Sequence, residues 1–245
     1  MNLTMPGERT VWPEFFVLLG PDYAGKSSVL SALSLNGWQC VSCDNDFVRP
    51  ECSLVNDLRD SFISRALQGI GESYSPDFVI TLLQTSVVYL RDQVMRVAPG
   101  RPAVMDSYYY KILAKCVLTG LVNEELFTWW RSFPQPRRVI YLDVEPETAW
   151  RRSGEGARLN PFEYYGTIPT RERFHRFQTD LRQLMVKEVG TVPVSVLGEP
   201  DSVDQVANAI QQIIRRDDAA ELGGTVPAPG AVRAEYPAAR AAVAP

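Results

Sequence analysis

The stretch Phe15-Phe16-Val17-Leu18-Leu19-Gly20-Pro21-Asp22-Tyr23-Ala24-Gly25-Lys26-Ser27-Ser28 decides the fold. Its first five residues form an apolar run too short for a helix and suited to a buried strand. Gly20, Gly25, Lys26 and Ser27 then satisfy the spacing G-x-x-x-x-G-K-[ST]. Val29, Leu30 and Leu33 follow at helical spacing, so the glycine-rich segment joins a strand to a helix. Glycine lets backbone wrap closely round phosphate groups, whose charge is met by backbone N–H groups and the helix N-terminus. Gly20, Asp22, Tyr23, Ala24, Gly25, Lys26, Ser27 and Ser28 are therefore expected around a nucleoside triphosphate. Lys26 is expected to reach its β- and γ-phosphates, and the Ser27 hydroxyl to ligate Mg²⁺.

Outward from this loop, strand and helix alternate. Short apolar runs at Trp38–Cys43, Ala103–Met105, Arg138–Asp143 and Val194–Leu197 read as further buried strands. Between them lie helical stripes, one through Leu54, Leu58, Phe62, Ile63 and Leu67, another through Phe78, Leu82, Leu83, Val87, Leu90 and Val94. Thr170 is placed to cap a helix carrying Phe174, Phe177, Leu181, Leu184 and Met185, and a last helix carries Val203, Val206, Ala207, Ile210, Ile213 and Ile214. This order predicts an α/β fold: a parallel sheet with right-handed crossovers and helices on both faces. Ligands in such folds bind at the carboxyl edge of the strands. The chain divides into an N-terminal extension (1–13), a domain (14–216) and an Ala- and Pro-rich tail (217–245) read as disordered.

A chain of 245 residues with 45% apolar and 22% charged residues is enough for one domain with a sizeable core. A formal charge of −4 gives no global reason to expect nucleic-acid binding, so an anionic ligand must be held by local groups. No apolar run approaches the roughly 20 residues a membrane span needs. Without a basic start followed by an apolar stretch, the N-terminus points to a cytoplasmic protein with no membrane partner. The C-x-x-C at Cys40 and Cys43 is compatible with zinc, but residues three apart in an extended segment face opposite sides, which favours reduced structural thiols. A phosphate loop alone serves kinases, ATPases and GTPases. No guanine-specifying N-K-x-D is present, and nothing marks a larger motor assembly, which leaves a compact kinase.

The loop G-P-D-Y-A-G-K-S-S resembles the G-x-D-x-A-G-K-[ST]-[ST] of thymidylate kinases. Asp106-Ser107-Tyr108 falls where that family has D-R-Y, and V-I-Y-L-D-V-E-P-E-T-A (Val139 to Ala149) is similar to its fourth strand and the following turn. Arg151, Arg152 and Arg158, followed by Glu163, resemble its arginine-bearing lid, here about 151–170, and Arg173-Phe174 its next helix. The resemblance covers roughly Phe15 to Ile214. It implies a five-stranded parallel sheet with a short lid, ATP and Mg²⁺ as donor and cofactor, transfer of the γ-phosphoryl group to a small-molecule acceptor, and, by analogy, a homodimer. Some family members carry an arginine in the loop where this chain has Tyr23, so the three lid arginines are the expected source of transition-state charge.

The acceptor half departs from the family. Ser107 replaces the arginine of D-R-Y, and the helix before the third strand has no arginine until Arg91, leaving Arg49 as the expected phosphate contact. A dianionic phosphate normally needs paired arginine donors, so the loss argues against dTMP. A neutral hydroxyl acceptor must instead give up a proton, which a carboxylate can take. Asp22, Asp44, Asp46 and Asp106 all follow strands or lie in the loop. Asp46 or Asp22 is the expected base or hydroxyl-orienting group, and Asp106 is expected to hold the Mg²⁺ shell through water. Asp44-Asn45-Asp46 is similar to the D-x-D of shikimate-kinase-like small-molecule kinases, and equally reads as a turn and cap pair. Asp44, Asp46, Arg49, Ser107 and Tyr108 are the expected acceptor contacts. Tyr109, Tyr110, Trp129 and Trp130 read as core before contact, and the only histidine, His175, as a surface or packing residue. The sequence thus points to an ATP-dependent kinase acting on a hydroxyl of a nucleoside, sugar or natural product. The alternatives are a monophosphate kinase with a rearranged phosphate grip and an inactive nucleotide-binding protein.

Overall fold

Five strands form in the computed structural model of the chain: β1 (Phe15–Leu19), β2 (Gln39–Val41), β3 (Ala103–Asp106), β4 (Arg138–Leu142) and β5 (Val194–Leu197). They pair in parallel in the order β2-β3-β1-β4-β5. Residues 13–98, 102–199 and 202–222 are described. The expected strands are all present, β2 shorter at both ends than its apolar run. Every residue of β1 is fully buried, as a central parallel strand covered on both faces must be. Phe15, Val17 and Leu19 join the main core cluster, and the alternate residues Phe16 and Leu18 are buried on the opposite face.

Among the described residues eight α-helices connect or follow the strands: α1 (Lys26–Leu35), α2 (Leu54–Ser61), α3 (Pro76–Val94), α4 (Tyr108–Leu118), α5 (Glu124–Arg131), α6 (Pro146–Arg152), α7 (Arg171–Val189) and α8 (Val203–Leu222). Their starts obey local chemistry. Ser75 and Thr170 accept from the backbone N–H groups of Phe78 (3.1 Å) and Arg173 (3.3 Å), capping α3 and α7. Helix α8 runs to Leu222, past the boundary expected at 216. The rest of the expected tail, and residues 1–12 of the extension, lie outside the described residues.

At the exit of β1 the chain passes close to β4. A Cβ on Gly20 would lie 2.8 Å from the Leu142 carbonyl oxygen, so only glycine fits there without moving backbone. Gly20→Ala is expected to destabilise the protein by about 1–3 kcal/mol, the range for overpacking, read as a lowered urea midpoint. An unchanged midpoint would show that the sheet edge yields freely.

Candidate active site

The turn from β1 into α1 brings the glycine-rich loop to the carboxyl edge of the sheet. Gly25 takes a left-handed φ of 88° immediately before the helix, and Tyr23 another at 59°. The Lys26 ammonium curls back over the loop, donating to the carbonyls of Pro21 (3.0 Å) and Gly20 (3.4 Å). Opposite lies a cleft of about 550 Å³ lined by five basic and four acidic side chains, with apolar walls from Phe62, Ile63, Leu83, Leu90, Ile112 and Phe162.

Two carboxylates face the loop from neighbouring strands. Ser27 Oγ donates to Asp44 Oδ2 at 2.6 Å, and Arg59 of α2 pairs with Asp44 Oδ1 at 2.8 Å. Burial pushes the Asp44 carboxyl upward, but the Ser27 hydrogen bond and the Arg59 charge outweigh it and hold the group below its ordinary value. Asp106 ends β3 beside β1 and accepts from Ser42 (3.2 Å) and Ser107 (2.7 Å). Ser27 spends its proton on Asp44, which leaves its oxygen lone pairs for a cation. One hydroxyl and one or two carboxylates beside a phosphate loop suit a hard ion such as Mg²⁺, which keeps much of its water, so these residues fit it.

The third carboxylate, Asp22, is enclosed. Its Oδ1 meets Lys111 at 2.7 Å and Lys115 at 3.0 Å, both from α4. The Gln178 amide of α7 donates to Asp22 Oδ2 and accepts from the Asp22 backbone N–H, each at 3.0 Å. Burial would raise the Asp22 carboxyl, but the charges of Lys111, Lys115 and Lys26 overcome it and hold it far below the carboxylate range. Burial, opposed by Asp22, lowers Lys111. Burial and then the charge of Asp22 raise Glu163, which stands 3.8 Å from Lys115.

Of the expected site residues, the cleft gathers Asp22 through Ser28 of the loop, Asp44, Asp106, Ser107, Tyr108 and Arg152. The Tyr108 ring is fully buried against Phe15, Tyr109 and Tyr110, which makes it a core side chain. Asp46 is exposed and outside the cleft, because a 3₁₀ turn (Asn45–Phe47) begins directly after Asp44. Arg49 also lies outside it, paired with Glu51 at 3.1 Å. Among the described residues Arg151 reaches only Thr148 (3.2 Å), and Arg158 bonds the Arg152 carbonyl with its guanidinium 5.9 Å from the Tyr23 ring centre. Arg152 donates to Ala24 O at 3.4 Å and pairs with Glu199 at 3.0 Å. His175 meets Glu147 at 3.1 Å, away from the cleft. The Cys40 and Cys43 thiols, pushed up to about 12 by burial, donate to carbonyls of different helices, Leu30 and Ser86.

Arg59, Lys111 and Lys115 are cleft residues that the sequence did not single out. The readable signal for the lysines is K-x-x-x-K inside an otherwise apolar stretch directly after Asp106, since charges four apart share one helix face.

A central strand ending in a phosphate loop, parallel neighbours ending in carboxylates and a cleft between them define a P-loop kinase fold. Specifically it is the thymidylate-kinase-like fold. No family model matches the chain. A probable thymidylate kinase of Archaeoglobus fulgidus is 28% identical over 119 residues, 45% of this chain and 58% of the relative, so the match spans little over half of that protein. Thymidylate kinase from Candida albicans superposes with a TM-score of 0.54 at 17% identity, covering 84% of this chain and 93% of that one. Deoxyadenosine kinase from M. mycoides gives a TM-score of 0.55 at 13% identity, covering 83% and 99%. Among the described residues no helix is long and apolar enough to cross a membrane.

Proposed function

We propose that the chain is an ATP-dependent kinase that transfers the γ-phosphoryl group to a hydroxyl of a nucleoside, sugar or similar small molecule. One observation carries the choice of acceptor: Asp44, an ionised carboxylate anchored by Arg59, stands 2.6 Å from the Ser27 hydroxyl, across from the triphosphate loop. The fold alone does not choose, since its neighbours are named for thymidylate, a phosphate, and for deoxyadenosine, a nucleoside.

In the proposed reaction the acceptor oxygen bonds to the γ-phosphorus while the bond from phosphorus to the β–γ bridging oxygen breaks, its electron pair leaving on ADP. The hydroxyl proton passes to Asp44 and then to solvent. The loop backbone and Lys26 hold the phosphates, Arg152 supports the loop at Ala24, and the apolar walls hold the acceptor's uncharged body. Bound Mg²⁺ would neutralise phosphate charge. Ser27 and, through water, Asp106 are the residues to hold it. A monophosphate acceptor has one supporting observation, the presence of Arg59 in the cleft. That guanidinium is already engaged by Asp44, and the other arginine lining the cleft, Arg152, is held by Ala24 and Glu199.

A transfer assay with labelled ATP against dTMP, other monophosphates, nucleosides, sugars and aminocyclitols tests the reading. Labelled product is expected with a hydroxyl acceptor and not with dTMP. Efficient dTMP turnover would overturn it. Asp44→Asn is expected to slow transfer about 10²–10⁴-fold, the usual worth of a general base, while Asp46→Asn stays near wild type. The reverse ranking would return the base to Asp46.

A further inference from the structure

A chain of alternating charge runs along one side of the cleft. It begins at Lys111, passes to Asp22 at 2.7 Å, to Lys115 at 3.0 Å, and ends at Glu163, 3.8 Å further on. Lys111 and Lys115 are one turn apart on α4, so both ammonium groups reach the same carboxylate. Each lysine side chain is only 10% exposed.

A buried carboxylate needs one well-placed cation, because an unpaired charge in the interior is costly. Asp22 has two, and the Gln178 amide besides. The two lysines are not equivalent. Lys115 stands between two carboxylates, and its ammonium lies 5.5 Å over the Phe162 ring. Among the described residues Asp22 is the one group in ion-pair or hydrogen-bond reach of Lys111, Asp106 acting on it only through longer-range charge, so two of its three N–H donors are uncommitted beside the phosphate loop. If Lys111 leaves, Asp22 keeps Lys115 and Gln178. If Lys115 leaves, Glu163 loses its cation. Lys111 is the member that can be redeployed.

A need for it exists. Beyond Lys26 the loop offers no second cation, Tyr23 standing where an arginine would supply one. Arg151 and Arg158 do not line the cleft, and Arg152 is held by Ala24 and Glu199. We propose that Lys111 is a catalytic cation, which turns from Asp22 to the γ-phosphoryl group of the bound triphosphate and stays with that group during transfer. Asp22 is then its parking counter-ion. Lys111 only donates hydrogen bonds. The acceptor's proton still goes to Asp44, and the electron pair of the broken phosphorus–oxygen bond still leaves with ADP.

The inference rests on the donor-site reading but on no particular acceptor, and nucleotide binding tests it without one. Calorimetry with Mg²⁺ compares ADP with AMP-PNP, a triphosphate that is not transferred. Wild type is expected to prefer AMP-PNP. Lys111→Met should lose at least about tenfold in AMP-PNP affinity, as for a hydrogen bond to a charged group, with ADP affinity within about twofold. Lys111→Arg should keep the preference. If the methionine variant does not fold, Lys111→Gln, which retains a donor for Asp22, makes the same comparison. Equal loss for both nucleotides, no loss, or a wild type without preference overturns the role of Lys111 alone. A wild type that binds neither nucleotide overturns the donor-site reading and this inference with it.

Discussion

Asp22→Ala is expected to cost about 3–5 kcal/mol of folding stability, the usual loss when one partner of a buried ion pair is removed. The side chain is 8% exposed and neutralises two lysines that are each 10% exposed, so its removal leaves two buried cations facing each other. Glu163 cannot take over, since its carboxylate forms an ion pair with Lys115 alone among the described residues, at 3.8 Å. Replacing Lys115 with Met in the same variant removes one of the stranded charges and should recover part of the loss. Urea unfolding of the four chains of this cycle gives the coupling directly. Full additivity would mean that Asp22 and Lys115 do not share an interaction.

Asp22 and Glu163 together set a pH dependence. The folded Asp22 carboxyl lies below its ordinary value of 3.8, so the unfolded chain binds this proton more tightly. Its stabilisation is complete above roughly pH 5 and is lost as pH falls through and below 3.8. Glu163 works the other way: its folded value is raised above 4.5, so its contribution weakens as pH climbs from there. Acid unfolding of wild type should therefore steepen below about pH 4, and in Asp22→Asn that limb should flatten. Parallel acid limbs in the two proteins would show that Asp22 is not the group responsible.

Lys26→Ala is expected to have the opposite profile, a folded protein with almost no transfer. Among the described residues its ammonium donates only to loop carbonyls, at 3.0 and 3.4 Å, and forms no direct ion pair that would be left open. Removing one preorganised donor from a site of developing charge costs about 10²–10³ in rate, and a lysine that carries a full charge belongs at the upper end or beyond. Single-turnover transfer from labelled ATP measures the loss, and an unchanged urea midpoint confirms that the fold survives. Wild-type rates in this variant would overturn the assignment of the loop itself.

The strands and the loop were legible because each depends on its own residues. Five short apolar runs and one glycine spacing carry them, and Thr170 announces its helix by its cap. Helix α4 was not legible. Tyr108, Tyr109, Tyr110, Leu113, Ala114 and Cys116 are buried together, so the segment has no polar face to give a period. The lysines that matter most to the network were hidden in that run. Choosing Asp44 over Asp46 required knowing where a 3₁₀ turn begins, a matter of one residue. The arginines at the end of α6 and just beyond it posed a similar problem, because the turns between Ser153 and Arg158 help decide which guanidinium reaches the cleft, and of the three only Arg152 lines it.

The network around Asp22 also offers a way of sorting sequences. A phosphate loop says only that a chain handles nucleotides. Here D-x-x-x-K from Asp22 to Lys26, followed after the third strand by K-x-x-x-K from Lys111 to Lys115 and on α7 by Gln178, forms a signature that can be searched for in plain text. Genomic chains that share all five letters can be set apart as a group from those that share the loop alone, before any of them is expressed.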